Sequence, residues 1–186
     1  LTAAKAGDFS TALREWQPLA EQGVADAQRN LGALYFFGKG VLQDYAEAAK
    51  WLRLAAEQGN VDSQGFLGDM YKNGQGVLKD NEEAVKWYTL AAEQGNARAK
   101  SLLRDLLYSM GKETFSQDEE GYGCSAANEL FKKAKELGQT EAFKYIKFCE
   151  TYALAVGGNA DAQLNLGEHL IYSDLIFQDN EEAVNW

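Results

Sequence analysis

Several residue types are scarce in this sequence, and each scarcity narrows the classes of protein to which it can belong. One histidine and two cysteines among 186 residues give no spacing typical of a metal site. A single proline and the lack of long polar tracts argue against disorder. No run of 18 apolar residues occurs, so the sequence predicts no membrane-spanning helix.

Basic residues are also in deficit, which bears on the choice of partner. The chain carries 18 Lys and Arg against 28 Asp and Glu, a formal net charge of −10. Nucleic acids and anionic membranes attract clustered positive charge, so neither is expected as a partner. The charge favours a neutral or basic protein partner.

Glycine, in contrast, is plentiful, with 18 copies, and its spacing reveals an internal repeat. The segment Ala-Glu-Gln-Gly ends at Gly23, Gly59 and Gly95, with 36 residues from each to the next. Other residues that recur 36 positions later are Leu31, Gly32, Tyr35, Gly38, Gly40, Val41, Asp44, Ala48 and Trp51. Agreement of this extent at one fixed offset indicates a repeat architecture.

Each unit predicts a first helix, a glycine loop and a second helix. Apolar residues at i, i+4, i+7 and i+8 form one face of the first helix, and Gly32 in its middle predicts a closely packed partner helix. Gly38 and Gly40 end that helix and allow positive φ. Asp44 caps the second helix, with Glu47 at capping-box spacing. Because one hairpin cannot bury its own apolar face, neighbouring hairpins are expected to stack.

The repeated unit resembles the Sel-1-like repeats, relatives of the tetratricopeptide repeats. The resemblance is carried by Ala-x-Ala-Gln-x-x-Leu-Gly-x-x-Tyr, Gly-x-Gly-Val-x-x-Asp, Ala-x-x-Trp and Ala-Ala-Glu-Gln-Gly. It implies an all-α fold, a right-handed α/α superhelix, or solenoid, of antiparallel helix hairpins. The segments Ala-Glu-Gln-Gly and Asp-Tyr-Ala-Glu-Ala are more similar to bacterial than to eukaryotic members.

We interpret the whole chain, 1–186, as one such solenoid. Its parts are the second helix of a partial repeat (1–23), two clean repeats (24–59 and 60–95), a long-loop repeat (96–138), a degenerate or half repeat (139–158) and a truncated repeat (159–186). Since both ends interrupt a repeat, we expect either a longer protein or residues that have been removed.

The region from 96 to 158 departs most from the pattern. We predict a helix over Ala97–Tyr108, a loop over Gly111–Gly123, and a second helix over 124–137. That second helix has Ala127, Leu130 and Ala134 on its apolar face. The 20 residues after Gly138 have room for one helix, which predicts a local break in superhelical pitch. In the last repeat, Ser173–Phe177 replaces the glycine loop.

No cluster of side chains predicts catalysis, a cofactor or a metal. The single histidine, His169, lies beside Glu168 on a predicted helix and has no evident catalytic partner. The Gly-x-Gly pairs at 38–40 and 74–76 follow no strand, so we interpret them as hairpin turns and not as phosphate-binding loops. The chain is therefore not expected to be an enzyme.

Cys124 and Cys149 leave two interpretations open. They stand 14 residues before and 11 residues after Gly138, so their levels in two antiparallel helices differ by about 4.5 Å. Some cysteine-rich bacterial members of the family form interhelical disulfides, and the resemblance makes such a pair possible here. The alternative is two small half-buried thiols.

A partner site follows from the resemblance. In tetratricopeptide proteins the first helices line a concave groove, and the equivalent positions combine apolar and acidic residues suited to a protein or peptide. They are Asp26, Arg29, Phe36, Phe37, Asp62, Asp69, Lys72, Asn73, Arg98, Asp105, Tyr108, Glu168, Ile171 and Tyr172. For Phe36 and Phe37 the alternative is packing against the following loop.

The leading functional hypothesis is a scaffold or adaptor that binds a protein or peptide through this groove. The resemblance also allows an immunity or inhibitor protein that neutralises a toxin of a bacterial secretion system, which would form one tight, large complex. A β-lactamase-like hydrolase is disfavoured because Ser-Leu-Leu-Arg at 101–104 lacks the lysine of Ser-x-x-Lys. A spacer in a multidomain protein is a further alternative. The resemblance favours the bacterial periplasm or secretion over the cytoplasm.

Overall fold

Every regular element that the structure describes is an α-helix. The computed structural model describes residues 8–117 and 124–172, apart from the side chains of 117 and 167–172. The helices in these ranges are α1 (Phe9–Glu21), α2 (Ala25–Phe37), α3 (Tyr45–Glu57), α4 (Val61–Asn73), α5 (Asn81–Glu93), α6 (Ala97–Gln117), α7 (Cys124–Glu136), α8 (Ala142–Val156) and α9 (Ala160–Tyr172). The all-α fold predicted from the repeats is confirmed.

The chain divides into two compact units, Leu1–Leu103 and Arg104–Trp186. In the first unit α1 packs on α2, α2 on α3, α3 on α4 and α4 on α5. In the second unit α7 packs on α8 and α8 on α9. Within each unit, helices that follow one another in the chain therefore pack together, which buries the apolar faces that no hairpin can cover alone.

Aspartate caps fix the start of each second helix in the first unit. Asp44 Oδ1 accepts the backbone N–H groups of Ala46 and Glu47 at 2.9 and 3.0 Å, and Asp80 caps α5 in the same way. The capping box expected at Glu47 is wrong, because Glu47 forms an ion pair with Lys50 at 3.3 Å. The N–H of Asp44 donates to the carbonyl of Tyr35 instead, at 3.0 Å.

The glycine loops have the backbone conformation that the sequence predicts. Gly38 and Gly40 have φ of 64° and 74°, and their counterparts Gly74 and Gly76 have 69° and 71°. At Gly76 there is a second requirement, since a Cβ there would overlap the carbonyl oxygen of Tyr45 at the start of α3. The loop thus passes too close to the preceding repeat to carry a side chain.

Mid-helix glycines mark the points where the two helices of a hairpin cross. A Cβ at Gly32 would lie 2.7 Å from Cγ of Leu52, and one at Gly68 would lie 2.5 Å from the ring of Tyr88. Leu52 and Tyr88 are fully buried. The close approach expected from Gly32 is therefore confirmed, and it recurs in the next repeat.

The third hairpin, formed by α6 and α7, makes the same kind of crossing contact two turns further along its first helix. This contact corrects the expected helix boundaries. α6 extends to Gln117 rather than ending at Tyr108, so the loop predicted from Gly111 is wrong over 111–117. Gly111 is helical, and a Cβ there would lie 2.8 Å from the ring of Phe131. Arg104 occupies the usual glycine position, so the crossing moves seven residues along and the helix lengthens with it.

The single helix α8 combines features of both helices of a repeat. Its first turns bury Ala142, Ile146 and Cys149 at the spacing used by the buried face of α2. Its last turn ends like a second helix, because the Ala155 carbonyl accepts from Gln163 Nε2 at 3.1 Å, as the Ala56 carbonyl accepts from Gln64. A segment with room for one helix thus serves as the start of one helix type and the end of the other.

The crossing contact predicts opposite effects for two alanine substitutions on α4. We expect Gly68→Ala to lower the free energy of unfolding by about 1–3 kcal/mol, because the new methyl group would overlap the buried Tyr88 ring. Gly65→Ala is the matched control: its Cβ would meet only Asn96 Nδ2, at 4.0 Å, so the gain in helix propensity should raise the same quantity by about 0.5–1 kcal/mol. Urea denaturation followed by circular dichroism measures both, and equal effects would contradict the crossing model.

Candidate partner-binding site

Three phenylalanine rings form a partly exposed cluster on the first unit. Phe36 and Phe37 end α2, and Phe66 lies on α4; the ring centroids are 5.0 Å apart for Phe36–Phe37, 5.9 Å for Phe36–Phe66 and 6.4 Å for Phe37–Phe66. Phe37 is 52% exposed. The ammonium group of Lys39 lies 5.4 Å from the centre of the Phe37 ring. We call Phe36, Phe37 and Phe66 the aromatic patch.

Phe36 and Phe37 differ in how far they pack against the loop that follows α2. Phe36 is half-buried: its ring lies 5.1 Å from that of Tyr45, and its carbonyl accepts from Gln43 Nε2 in the following loop at 2.8 Å. Phe37 faces solvent across about half of its surface. Phe36 therefore packs partly against the loop and α3, whereas Phe37 presents an exposed ring.

Sequence reasoning missed Phe66, the third member of the patch. Transfer of the groove geometry selected Asp62 and Asp69 on α4 but passed over this position, where the preceding repeat has Asn30. The available signal was the replacement of a polar residue by a large aromatic one at an equivalent position of two otherwise similar repeats.

Four of the eight predicted charged groove residues form two ion pairs across neighbouring first helices, and a fifth, Asp26, accepts a hydrogen bond there. Asn60 Nδ2, just before α4, donates to Asp26 Oδ1 at 3.2 Å, and Arg29 Nη1 lies 3.7 Å from Asp62 Oδ2. Further along, Arg98 Nη2 donates to Asp69 Oδ2 at 2.7 Å. The two ion pairs each have one exposed partner and contribute about 0–1 kcal/mol each, so they help to align the repeats without dominating stability.

Asp69 also receives a hydrogen bond from inside the hairpin. The hydroxyl of Tyr88, whose side chain is fully buried, donates to Asp69 Oδ1 at 2.7 Å. Burial, and next the hydrogen bond to Asp69, raise the pKa of Tyr88 above its ordinary value. A neutral phenol is therefore held beside a carboxylate that is itself paired with Arg98 on its exposed side.

Glutamines at repeated positions join each hairpin to the next. Gln28 Nε2 donates to the Ala20 carbonyl at 3.1 Å, and Gln58 Nε2 donates to Gln28 Oε1 at 2.7 Å. The next repeat repeats both bonds through Gln64 and Gln94, at 3.2 and 2.7 Å. The recurring glutamines of the sequence pattern are thus structural, because each satisfies a carbonyl or an amide inside the stack.

The remaining predicted groove residues fall into three groups. Lys72 is half-buried and Asn73 is exposed in the last turn of α4, and neither side chain forms a hydrogen bond or ion pair with the other residues that the structure describes. In the second unit, exposed Asp105 pairs with Arg104 at 2.8 Å. The side chains of Glu168, Ile171 and Tyr172 lie outside the described residues, as do that of His169 and the whole of 173–186.

Tyr108 lies among aromatic rings of the second unit. Its ring centroid is 5.9 Å from Phe131 and 6.0 Å from Tyr145. The tyrosine is half-buried, and burial together with Tyr145 raises its pKa to about 12. Much of the ring predicted to face a partner is therefore engaged in packing between α6, α7 and α8.

Both cysteines line one cavity between α7 and α8. The cavity has a volume of about 520 Å³, and its other lining residues are Ser125, Asn128, Tyr152, Ala153 and Val156. Cys124 is 8% and Cys149 is 3% exposed, and the structure carries both as thiols rather than as a disulfide. They are more deeply buried than the half-buried thiols of the alternative interpretation.

The part of the chain that the structure describes contains neither a cluster suited to a metal ion nor a helix suited to span a membrane. No group of three or more His, Cys, Asp or Glu side chains there is placed to hold a metal ion. None of the helices there is both long enough and apolar enough to cross a membrane.

The buried phenol of Tyr88 predicts a pH-dependent contribution to stability. Tyr88→Phe should lower the free energy of unfolding by about 1–2 kcal/mol at pH 8, because the hydrogen bond to Asp69 is lost. The pKa of Tyr88 is raised in the folded state, so this contribution is complete below about pH 10, the unfolded value, and falls as the pH rises above it. Urea titrations should therefore show the gap between wild type and variant narrowing toward about pH 11.

Tyr35→Phe is the control, since the hydroxyl of half-buried Tyr35 has no hydrogen bond to other described residues. If the difference in unfolding free energy between wild type and Tyr88→Phe stayed constant from pH 8 to about pH 11, the raised pKa of Tyr88 would be contradicted.

Burial of the two cysteines predicts slow modification in the folded state. We expect a bulky maleimide to label both thiols rapidly in denaturant and only slowly in buffer, as counted by intact-protein mass spectrometry. Cys124→Ser and Cys149→Ser assign the two additions. Labelling in denaturant that appears only after a reductant is added would instead support the disulfide.

Comparison with known proteins agrees with the repeat pattern. A family model described as Sel1 repeat matches residues 25–60, 61–96, 123–139 and 160–186. A search of curated proteins gives no match. Among solved structures, the chain is similar to a Sel1 repeat protein from Oxalobacter formigenes, with 28% identity and a TM-score of 0.55, over 100% of this chain and 80% of that one.

A second similar structure is a protective antigen present in uropathogenic Escherichia coli strains, which displays an SLR fold. The identity is 28% and the TM-score 0.54, over 96% of this chain and 48% of that one, so this chain spans about half of its length. Sel1 repeat proteins generally act as scaffolds for protein–protein interaction and are typically not enzymes. Since the family model matches more than half of the chain, the protein belongs to the Sel1 repeat family of helical solenoids.

Proposed function

We propose that this protein is a scaffold that binds a protein or peptide partner through the face formed by the first helices of its repeats. The aromatic patch is the anchor on the first unit. The observation that carries the proposal is the exposure of Phe37, which is 52% accessible although its ring contacts those of Phe36 and Phe66 edge to face. The first helices are the elements that, by the resemblance to tetratricopeptide proteins, are implied to line a groove.

A comparison of the two clean repeats supports a binding role for the patch. Residues that recur every 36 positions build the hairpins: Gly32 and Gly68 at the crossings, Asp44 and Asp80 as caps, and Gln28 and Gln64 between hairpins. The aromatic residues of the patch do not recur, because Phe36 and Phe37 are replaced by Lys72 and Asn73, and Phe66 stands where the first repeat has Asn30. The repeat architecture is thus built without these rings.

The chemistry of the patch suits a protein partner. Rings that are partly exposed and held by neighbouring rings contribute large contact area at little cost in side-chain entropy, and such residues are enriched among interface hot spots. Lys39 adds a positive charge beside Phe37, while the chain as a whole carries −10. A partner segment with an apolar or aromatic anchor, within a neutral or basic surface, is complementary to this combination.

Truncation of the exposed ring tests the proposal. Partners are captured from a bacterial lysate with the wild-type protein, and the protein that co-purifies is then produced and its Kd measured. We expect Phe37→Ala to weaken binding about tenfold or more, as for a hot-spot aromatic residue, while the lost ring contacts with Phe36 and Phe66 lower the free energy of unfolding by only about 1–2 kcal/mol.

Leu42→Ala is the matched control, because it removes an equally apolar side chain, 92% exposed, from the loop outside the patch. Binding that survives Phe37→Ala and Phe66→Ala, but not Leu42→Ala, would place the interface elsewhere.

A further inference from the structure

A small cavity lies beside the aromatic patch, between α4 and the start of α6. Its volume is about 140 Å³. Gly65 lines it together with the apolar side chains of Phe66, Ala99 and Leu102. The polar side chains around it are those of Asp62, Asn96 and Arg98. We call this cavity the Gly65 pocket.

The pocket exists because one repeat lacks a side chain that the preceding repeat has. Gly65 is the counterpart of Arg29, whose side chain is only 31% exposed and reaches Asp62 on the next first helix. A Cβ at Gly65 would meet only Asn96 Nδ2, at 4.0 Å, whereas one at Gly68 would meet the Tyr88 ring at 2.5 Å. The fold therefore requires glycine at 68 and has no such requirement at 65.

The polar groups around the pocket have unused hydrogen-bonding capacity. Asn60 and its counterpart Asn96 both cap the following first helix through Oδ1, but only Asn60 Nδ2 donates to a carboxylate, that of Asp26, whereas Asn96 Nδ2 has no partner among the described residues. Asp62 is 3.7 Å from Arg29, beyond hydrogen-bond distance.

Arg98 completes the set of donors around the pocket. It binds Asp69 through Nη2 alone, and its side chain is 67% exposed. An acceptor, an amide donor and a guanidinium thus surround one cavity.

We propose that the Gly65 pocket receives a carboxamide side chain, glutamine or asparagine, from the protein partner; this inference rests on the proposed function. A charged side chain would meet a like charge at either Asp62 or Arg98. A neutral carboxamide donates to Asp62 through its NH₂ group and accepts from Asn96 Nδ2 or Arg98 through its oxygen. The volume of about 140 Å³ is large enough to receive the end of such a side chain.

A titration with four small probes tests the chemistry of the pocket directly. The full chain is labelled with ¹⁵N and titrated with N-acetyl methylamides of glutamine, glutamate, lysine and leucine. We expect the glutamine probe to shift the Gly65 backbone signal and the Asn96 side-chain signal saturably, with a millimolar Kd as for a fragment-sized ligand. The other three probes should bind at least about tenfold more weakly.

Partly filling the pocket should weaken this binding without harming the fold. Gly65→Ala is expected to raise Tm by about 2–4 °C through helix propensity and to weaken glutamine-probe binding about tenfold or more. Thr151→Ala, in the middle of α8, is the control for helix propensity and should leave probe binding unchanged. Equal shifts with the leucine probe, saturation unaffected by Gly65→Ala, or no saturable shift with the glutamine probe would each overturn the inference.

The two proposals fail in different ways. If Phe37→Ala abolishes partner binding while the glutamine probe gives no saturable shift, the aromatic patch stands and the carboxamide pocket is rejected. In another outcome the glutamine probe binds and Gly65→Ala removes that binding, but the partner binds the Phe37→Ala and Gly65→Ala variants normally. The pocket is then real, but the partner docks on another surface, and the proposal that the partner fills the pocket is rejected.

Discussion

The crossing of the two helices in each hairpin is the constraint on which the rest of the structure depends. At Gly32, Gly68 and Gly111 the opposing residue is Leu52, Tyr88 or Phe131, each fully buried and each four residues after a buried alanine of the second helix. The backbone of the first helix comes close enough to exclude a Cβ, so each crossing is held by one large side chain against a glycine. Cap, loop and neighbouring hairpin are then positioned relative to that point.

The third hairpin illustrates how this constraint sets helix length. With Arg104 in place of the glycine, the second helix cannot cross at the usual level, and α6 continues until Gly111 provides a new crossing. The sequence alone led to the wrong interpretation of Gly111 as a loop residue, because a glycine that ends a helix and one that admits a partner helix look the same. What distinguishes them is the large residue opposite, Phe131, and that residue is identified only once α7 has been paired with α6.

Features determined within a hairpin were predictable, and those determined between hairpins were less so. The caps at Asp44 and Asp80 and the positive φ of Gly38 depend on a few neighbouring residues, and the sequence pattern located them. The groove face was taken from the resemblance to tetratricopeptide proteins, which indicates the positions that face a partner but not what lies next to each side chain. The pairing of Asp69 with both Tyr88 and Arg98 needed the structure, since its partners come from two other helices.

The contrast between recurring and non-recurring residues is also the basis of the proposed binding site, because the recurring residues build the repeat fold. Gly65 and Gly68 lie three residues apart on one helix, yet Gly68 is fixed by the Tyr88 ring and Gly65 faces an open pocket. A glycine that the fold does not need carries an entropic cost of about 0.5–1 kcal/mol relative to alanine. Its place next to Phe66 and Asn96, beside the exposed Phe37, is most simply explained if what fills the space is supplied by another protein.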